Sequence, residues 1–283
     1  TGRIYEDSRL AWTRTSYIQP QVHTYDLALY NGTHYTVDSY LDGLEELYGG
    51  IDAVLLWPTY TNIGVDDRNQ FDYFRALPGG GLAAVRDITK QFHARDVKVL
   101  WAYNPWDEST RPEGVSDAEA MASLLSKTGG DGFNGDTMGS VGQEYYAASV
   151  ALGHPLALEP EGGGYDDLNA SNWETMGWGY WWSQTAANNF TNVYDFAPGV
   201  DKLKWLDSRR MTNVCDRWSK NRTAAIQFAF FNGVGYESWE NVWGTWNGIT
   251  PRDGEAIRRV GTLLRHFGGG GYLQSPGWAP HVP

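Results

Sequence analysis

Four acidic side chains in this chain sit where chemistry could be done. Asp136 closes Asp131-Gly-Phe-Asn-Gly-Asp136, and Glu159 closes Pro155-Leu-Ala-Leu-Glu159. Asp216 closes Met211-Thr-Asn-Val-Cys-Asp216, and Glu237 closes Gly233-Val-Gly-Tyr-Glu237. Each follows a short, largely apolar run of strand length. If those runs are neighbouring parallel strands, their tips bring the carboxylates together. Gathering like charges is unfavourable, because each raises the pKa of the next. The arrangement is useful when one carboxyl must keep a proton while another stays ionised. Cleavage of a glycosidic bond needs such a pair: one carboxyl protonates the leaving oxygen, and the other attacks the anomeric carbon or activates a water.

The elements that must hold these tips alternate along the chain. Ser16 to Tyr25 reads as a first strand. Val37 to Tyr48 carries apolar residues at Tyr40, Leu41, Leu44, Leu47 and Tyr48, a helical stripe ended by Gly49-Gly50. Ile51 to Trp57 is a nearly continuous apolar run, which marks a strand covered on both faces. Pro58 to Pro78 reads as a long polar loop with ordering aromatics at Phe71, Tyr73 and Phe74. Helix Gly81 to Asp96 and strand Val97 to Tyr103 follow. A capping box, Ser116 with Glu119, opens a helix to Lys127. Asp131 to Asp136 is strand four, Gln143 to Leu152 a helix, and Pro155 to Glu159 strand five. Asp166 to Met176 reads as helical and Gly177 to Trp182 as strand six. Arg210 to Asp216 is strand seven, Arg222 to Phe231 a helix, and Gly233 to Glu237 strand eight. Pro251 to His266 is a last helix with proline in its first turn.

Eight strands alternating with helices predict a parallel α/β fold closed as a (β/α)₈ TIM barrel over residues 1–267. The chain of 283 residues suits it, since such barrels use about 250. An open doubly wound sheet would want a Gly-rich loop after the first strand, and Gln19 to Tyr30 supplies none.

Composition narrows the partners. The net charge of −12 argues against nucleic acid and anionic membranes, which favour clustered Lys and Arg. No stretch approaches the roughly 20 apolar residues of a membrane span. The 14 Trp and 17 Tyr suit sugar rings, whose C–H faces stack on aromatic faces. Cys215 is the single cysteine, so an intramolecular disulfide and a multi-thiolate zinc site are excluded; it reads as a buried strand residue. Six scattered histidines form a poor metal-ligand set, and no metal or cofactor is expected. Sequons at Asn31, Asn169, Asn189 and Asn221 hint at a glycosylated, secreted or extracytoplasmic protein.

The placement of acids resembles the α-amylase superfamily of glycoside hydrolases. Gly132-Phe-Asn-Gly-Asp136 is similar to its strand-four motif, Leu158-Glu159 to its strand-five glutamate, and Asn213-Val-Cys-Asp216 to its strand-seven Asn-His-Asp. Leu100-Trp-Ala-Tyr-Asn104 loosely resembles its strand-three Asn-His. The family's strand-four arginine is Asn134 here, its strand-seven histidine is Cys215, and its strand-three histidine is Pro105. The chain as a whole looks closer to a group of uncharacterised glycoside-hydrolase-like barrels, through Gly235-Tyr-Glu-Ser-Trp-Glu-Asn-Val-Trp-Gly-Thr-Trp-Asn-Gly-Ile-Thr-Pro-Arg252. That group continues into a β-rich domain, so residues 268–283 are expected to begin a linker to one.

The resemblance implies an oligo- or polysaccharide substrate, with Asp136 as nucleophile or base and Glu159 as general acid/base. Glu161 competes for the acid role. Asn104, Glu161, Asp216, Arg217, Glu237, Trp239, Glu240 and Trp57 are expected to bind substrate, with Arg217 pairing a carboxylate. A non-catalytic carbohydrate-binding barrel and a metal-dependent hydrolase or lyase are the rival readings.

Overall fold

A computed structural model describes residues 3–57, 67–106, 111–161, 168–179, 206–215, 222–238, 248–271 and 273. Strands β1 (Ile18–Gln19) and β2 (Gln21–His23) together form the first barrel strand, broken at Pro20, which has no N–H for a ladder. The break divides the labour. β1 pairs with β9 (Gly235–Glu237), while β2 pairs with β3 (Ala53–Trp57). Pro20 still contributes its carbonyl, which accepts from the Leu55 N–H at 2.9 Å.

From β3 the parallel ladder runs through β4 (Lys98–Tyr103), β5 (Gly132–Gly135) and β6 (Ala157–Pro160). β7 (Trp178–Gly179) and β8 (Asn213–Cys215) continue to β9. A parallel bridge between Glu161 and Trp178 joins β6 to β7 and closes the ring. The chain is a (β/α)₈ barrel.

Helices α1 (Val37–Tyr48), α2 (Gln70–Arg75), α3 (Leu82–His93), α4 (Asp117–Thr128), α5 (Gln143–Ala151), α6 (Thr223–Asn232) and α7 (Pro251–Gly269) cover it. α1 ends at Gly49, whose φ of +84° is the left-handed cap that glycine takes without strain. The Ser116–Glu119 capping box is present at α4.

Three expected elements differ. α2 lies inside the stretch read as loop. It has only six residues, too few for an apolar stripe, and its start is marked by a capping box of Asn69 and Asp72. The helix expected over 166–176 is a 3₁₀ turn, Leu168–Asn172, within the described residues. A few residues on, Thr175 O and Gly177 O already accept ladder hydrogen bonds from Met211 and Asn213. Pairing with the seventh strand therefore takes over where a helix would have continued. The last helix runs to Gly269, three residues beyond the expected end.

Acids at the N-terminal ends of the strands serve the scaffold. Asp52 accepts from the Tyr17 and Ile18 N–H groups at 3.0 and 2.9 Å and from Arg265 Nε at 2.8 Å, tying α7 to β1 and β3. Asp131 accepts from the Val99 N–H at 2.9 Å and contacts Lys98 Nζ at 2.9 Å and His93 Nε2 at 2.6 Å. Burial pushes its pKa up, but the His93, Lys98 and Val99 contacts outweigh that and leave the carboxyl below its ordinary range.

Candidate active site

Polar side chains gather inside the barrel around Glu159. The Glu159 carboxylate is fully buried. Gln19 Nε2, from β1, donates to both of its oxygens at 3.0 Å. Asn213 Nδ2, from β8, donates to Oε1 at 2.8 Å, and Asn134 Nδ2, from β5, to Oε2 at 3.2 Å. β1 and β6 are the first and fifth strands of eight and face each other across the barrel. A bond between them places the carboxylate near the barrel axis.

This is the opposite of Asp131. The donors to Glu159 are neutral amides, and no cation among the described residues pairs with it. Burial pushes the Glu159 carboxyl up to about 7, with the Asn213, Asn134 and Gln19 amides pulling the other way. A carboxyl with that pKa gives and takes a proton near neutrality.

Gly235 makes the cradle possible. It pairs in register with Asn213, and a Cβ at this position would lie 2.0 Å from Asn213 Oδ1. Any side chain here must push Asn213 off Glu159. Gly235→Ala is therefore expected to lower activity by about 10-fold or more, since small displacements at a reacting centre cost that much. Expression as a folded barrel with unchanged turnover would refute the role given to Asn213.

One layer above Glu159 lies a second set. Asn134 pairs with Glu159 in register, so the positions two residues on, Asp136 and Glu161, point to the same side at the strand tips. Asp136 follows the last residue of β5, is 7% exposed, and accepts from Asn104 Nδ2 at 2.6 Å. Glu161 is half-buried and accepts from the Thr137 N–H at 2.6 Å. Thr137 holds φ at +61°, unusual for a β-branched residue. That conformation, directly after Asp136, aims the Thr137 N–H at Glu161.

Trp57 and Trp178 complete the interior. Their strands are not neighbours, yet the ring centroids lie 6.4 Å apart, so the contact crosses the barrel. Trp57 is buried, not displayed. Trp106, 54% exposed, follows the β4 tip. Glu237 is buried at the end of β9, in register with Gln19 and Cys215. Asn104 is also fully buried, turned to Asp136. Asp216, Arg217, Trp239 and Glu240 lie outside the described residues.

Sequence reasoning gave no role to Gln19, Trp178 or Gly235, and treated Asn134 only as a departure from a motif. A usable signal was present: a lone amide inside an apolar strand buried on both faces, as in Tyr17-Ile-Gln19 and Thr212-Asn213-Val. Such an amide needs a polar partner inside the barrel.

Other features fall elsewhere. A groove of about 770 Å³ takes in parts of α4 and α5 on the outside of the barrel and includes neither Asp136 nor Glu159. Among the described residues, no group of three or more His, Cys, Asp or Glu side chains is spaced to hold a metal ion.

No family model and no curated protein matches the chain. Solved structures do. The α-amylase of Geobacillus thermoleovorans, complexed with acarbose, aligns over 90% of this chain and 79% of its own, with a TM-score of 0.55 at 13% identity. The α-N-acetylgalactosaminidase NagBb of Bifidobacterium bifidum aligns over 92% of this chain and 53% of its own, with a TM-score of 0.55 at 14% identity. Tryptophan synthase from M. tuberculosis aligns over 93% and 96%, with a TM-score of 0.51 at 14% identity. Likeness at such identities establishes the barrel fold, which glycosidases share with an enzyme of different chemistry.

Proposed function

We propose that this chain is a glycoside hydrolase acting on the O-glycosidic bonds of an oligo- or polysaccharide. One observation carries the reading: two carboxyl groups on adjacent strands, one layer apart, occupy unlike environments. Asp136 is at the barrel mouth with an amide donor, and Glu159 is buried with its pKa pushed up to about 7. Asp136 attacks the anomeric carbon, or takes a proton from a water that does so. Glu159 gives its proton to the leaving oxygen, and the C1–O bond breaks as the oxygen is protonated. In a retaining course Glu159, now ionised, takes a proton from the water that releases the sugar from Asp136. The Trp106 face supplies a stacking platform for a sugar ring. The sugar chemistry of the amylase and the galactosaminidase agrees with this reading.

A second assignment of the acid has its own support. Glu161 shares the strand-tip layer with Asp136 and is partly open to solvent, whereas Glu159 is fully enclosed. Glu159→Gln and Glu161→Gln separate the two roles: only the variant of the true acid loses turnover mainly on substrates with poor leaving groups.

The test is reducing-sugar release from a broad polysaccharide panel. Products from wild type, resistant to exhaustive chelation, are expected. Binding to a polysaccharide without product on any substrate would replace the hydrolase with a carbohydrate-binding barrel, and loss of activity on chelation would favour metal-dependent chemistry.

A further inference from the structure

Asn104 is held from behind. Gln70, on α2, is 6% exposed and grips the backbone of this single residue with both ends of its amide. Its Nε2 donates to Asn104 O at 2.8 Å, and its Oε1 accepts from the Asn104 N–H at 3.0 Å. Both backbone polar groups of Asn104 are thereby fixed. Its side chain is fixed as well: Oδ1 accepts from the Trp106 N–H at 2.9 Å, and Nδ2 donates to Asp136 at 2.6 Å.

The helix that carries Gln70 is itself anchored to the far side of the same loop. Asn69 caps α2 and donates to Arg111 O at 3.1 Å and Glu113 Oε1 at 2.7 Å. Arg75 Nη1 donates to Glu113 Oε1 at 2.8 Å, and Arg111 pairs with Asp72. α2 thus binds residues 111 and 113, beyond the β4 tip, as well as Asn104 at the tip itself. So dense a set of bonds would be excessive for a surface helix of six residues with no further task.

We propose that Gln70 is a positioning residue for Asp136, acting through Asn104; this rests on the reading of Asp136 as the catalytic carboxylate. Gln70 sets the Asn104 backbone, and the Asn104 amide sets the orientation of the Asp136 carboxylate toward the anomeric carbon. The same amide ties the Trp106 backbone, so the sugar platform and the carboxylate are set by one residue.

The experiment uses Gln70→Met, which keeps the volume and removes both hydrogen bonds. kcat is expected to fall about 10- to 100-fold, with KM changed less than about 3-fold, because orientation and not ground-state binding is lost. Gln70→Met in an Asn104→Ala background is expected to add little to the loss already caused by Asn104→Ala, as residues acting in series are non-additive. A purely structural role would lower Tm, leave kcat in place, and add independently to Asn104→Ala; that result would overturn the proposal. Crystal structures of wild type and Gln70→Met give a readout free of substrate. Asp136 is expected to turn from its wild-type rotamer, and an unmoved Asp136 would overturn the proposal whatever the kinetics. Should wild type cleave no substrate, the hydrolase reading fails, while the crystal comparison still decides whether Gln70 positions Asp136. If Gln70→Met does not fold, Gln70→Asn decides on the same readouts, since it keeps a polar amide but is one methylene too short to bond both backbone groups of Asn104.

Discussion

Asp136→Asn is expected to reduce turnover by about 10⁴-fold or more, equivalent to over 5 kcal/mol of transition-state stabilisation. An amide cannot form a stable bond to the anomeric carbon and is too weak a base to activate water. The fold is expected to survive. The asparagine oxygen still accepts from Asn104 Nδ2, and the site is at the strand tip, outside the apolar layers. Tm should move by less than about 2 °C, the shift that corresponds to roughly 1 kcal/mol in a chain of this size. The comparison of kcat and Tm separates chemistry from folding. A variant with more than a tenth of wild-type turnover would remove Asp136 from the reaction.

Glu159→Gln carries the second large effect, and it has two independent readouts. For substrates with poor leaving groups, kcat is expected to fall about 10²- to 10⁴-fold. Aryl glycosides with acidic phenols need no protonation to depart and should lose far less. The descending limb of the wild-type pH profile, near pH 7, should vanish in the variant. Should Glu161→Gln show this leaving-group pattern and Glu159→Gln not, the acid is Glu161.

The other readout is stability. The Glu159 pKa is raised from 4.5 to about 7, so the folded state holds this proton more tightly than the unfolded chain. Its stabilising contribution is complete below about pH 4.5 and is lost as pH rises through about 7. The difference is on the order of 3 kcal/mol. Glutamine cannot ionise, so Glu159→Gln should gain stability relative to wild type between pH 5 and 8 in denaturant titrations. A constant difference between the two proteins across that range would contradict the buried, proton-holding environment.

The alternation of elements made the barrel architecture legible in the sequence, and the strand ends marked Asp136 and Glu237, while Glu159, read as a tip, lies one layer deeper. Strands buried on both faces read as continuous apolar runs, and their alternation with helices leaves few topologies for a parallel sheet. The capping box at Ser116 and the glycine stop at Gly49 are local effects and were legible as such, whereas the break of the first strand at Pro20 was read through as one strand. Short elements were harder. α2 was hidden because six residues show no period, and the 3₁₀ turn at Leu168–Asn172 because ladder pairing from a distant strand overrode a local helical pattern.

Tertiary structure alone decided what each carboxylate experiences. Asp131 and Asp136 flank β5, five residues apart, yet Asp131 meets Lys98, His93 and a backbone N–H, while Asp136 meets the Asn104 amide. Glu159 and Glu161 are separated by one proline, yet one is enclosed by amides from three other strands and the other is partly open to solvent. The period of two along a strand places such residues on one side of the sheet, but not at a depth in the barrel. Depth depends on the register of strands distant in sequence, and so do desolvation and the donors within reach. Those quantities set the proton affinity of a carboxyl, and they exist only once the ring is closed.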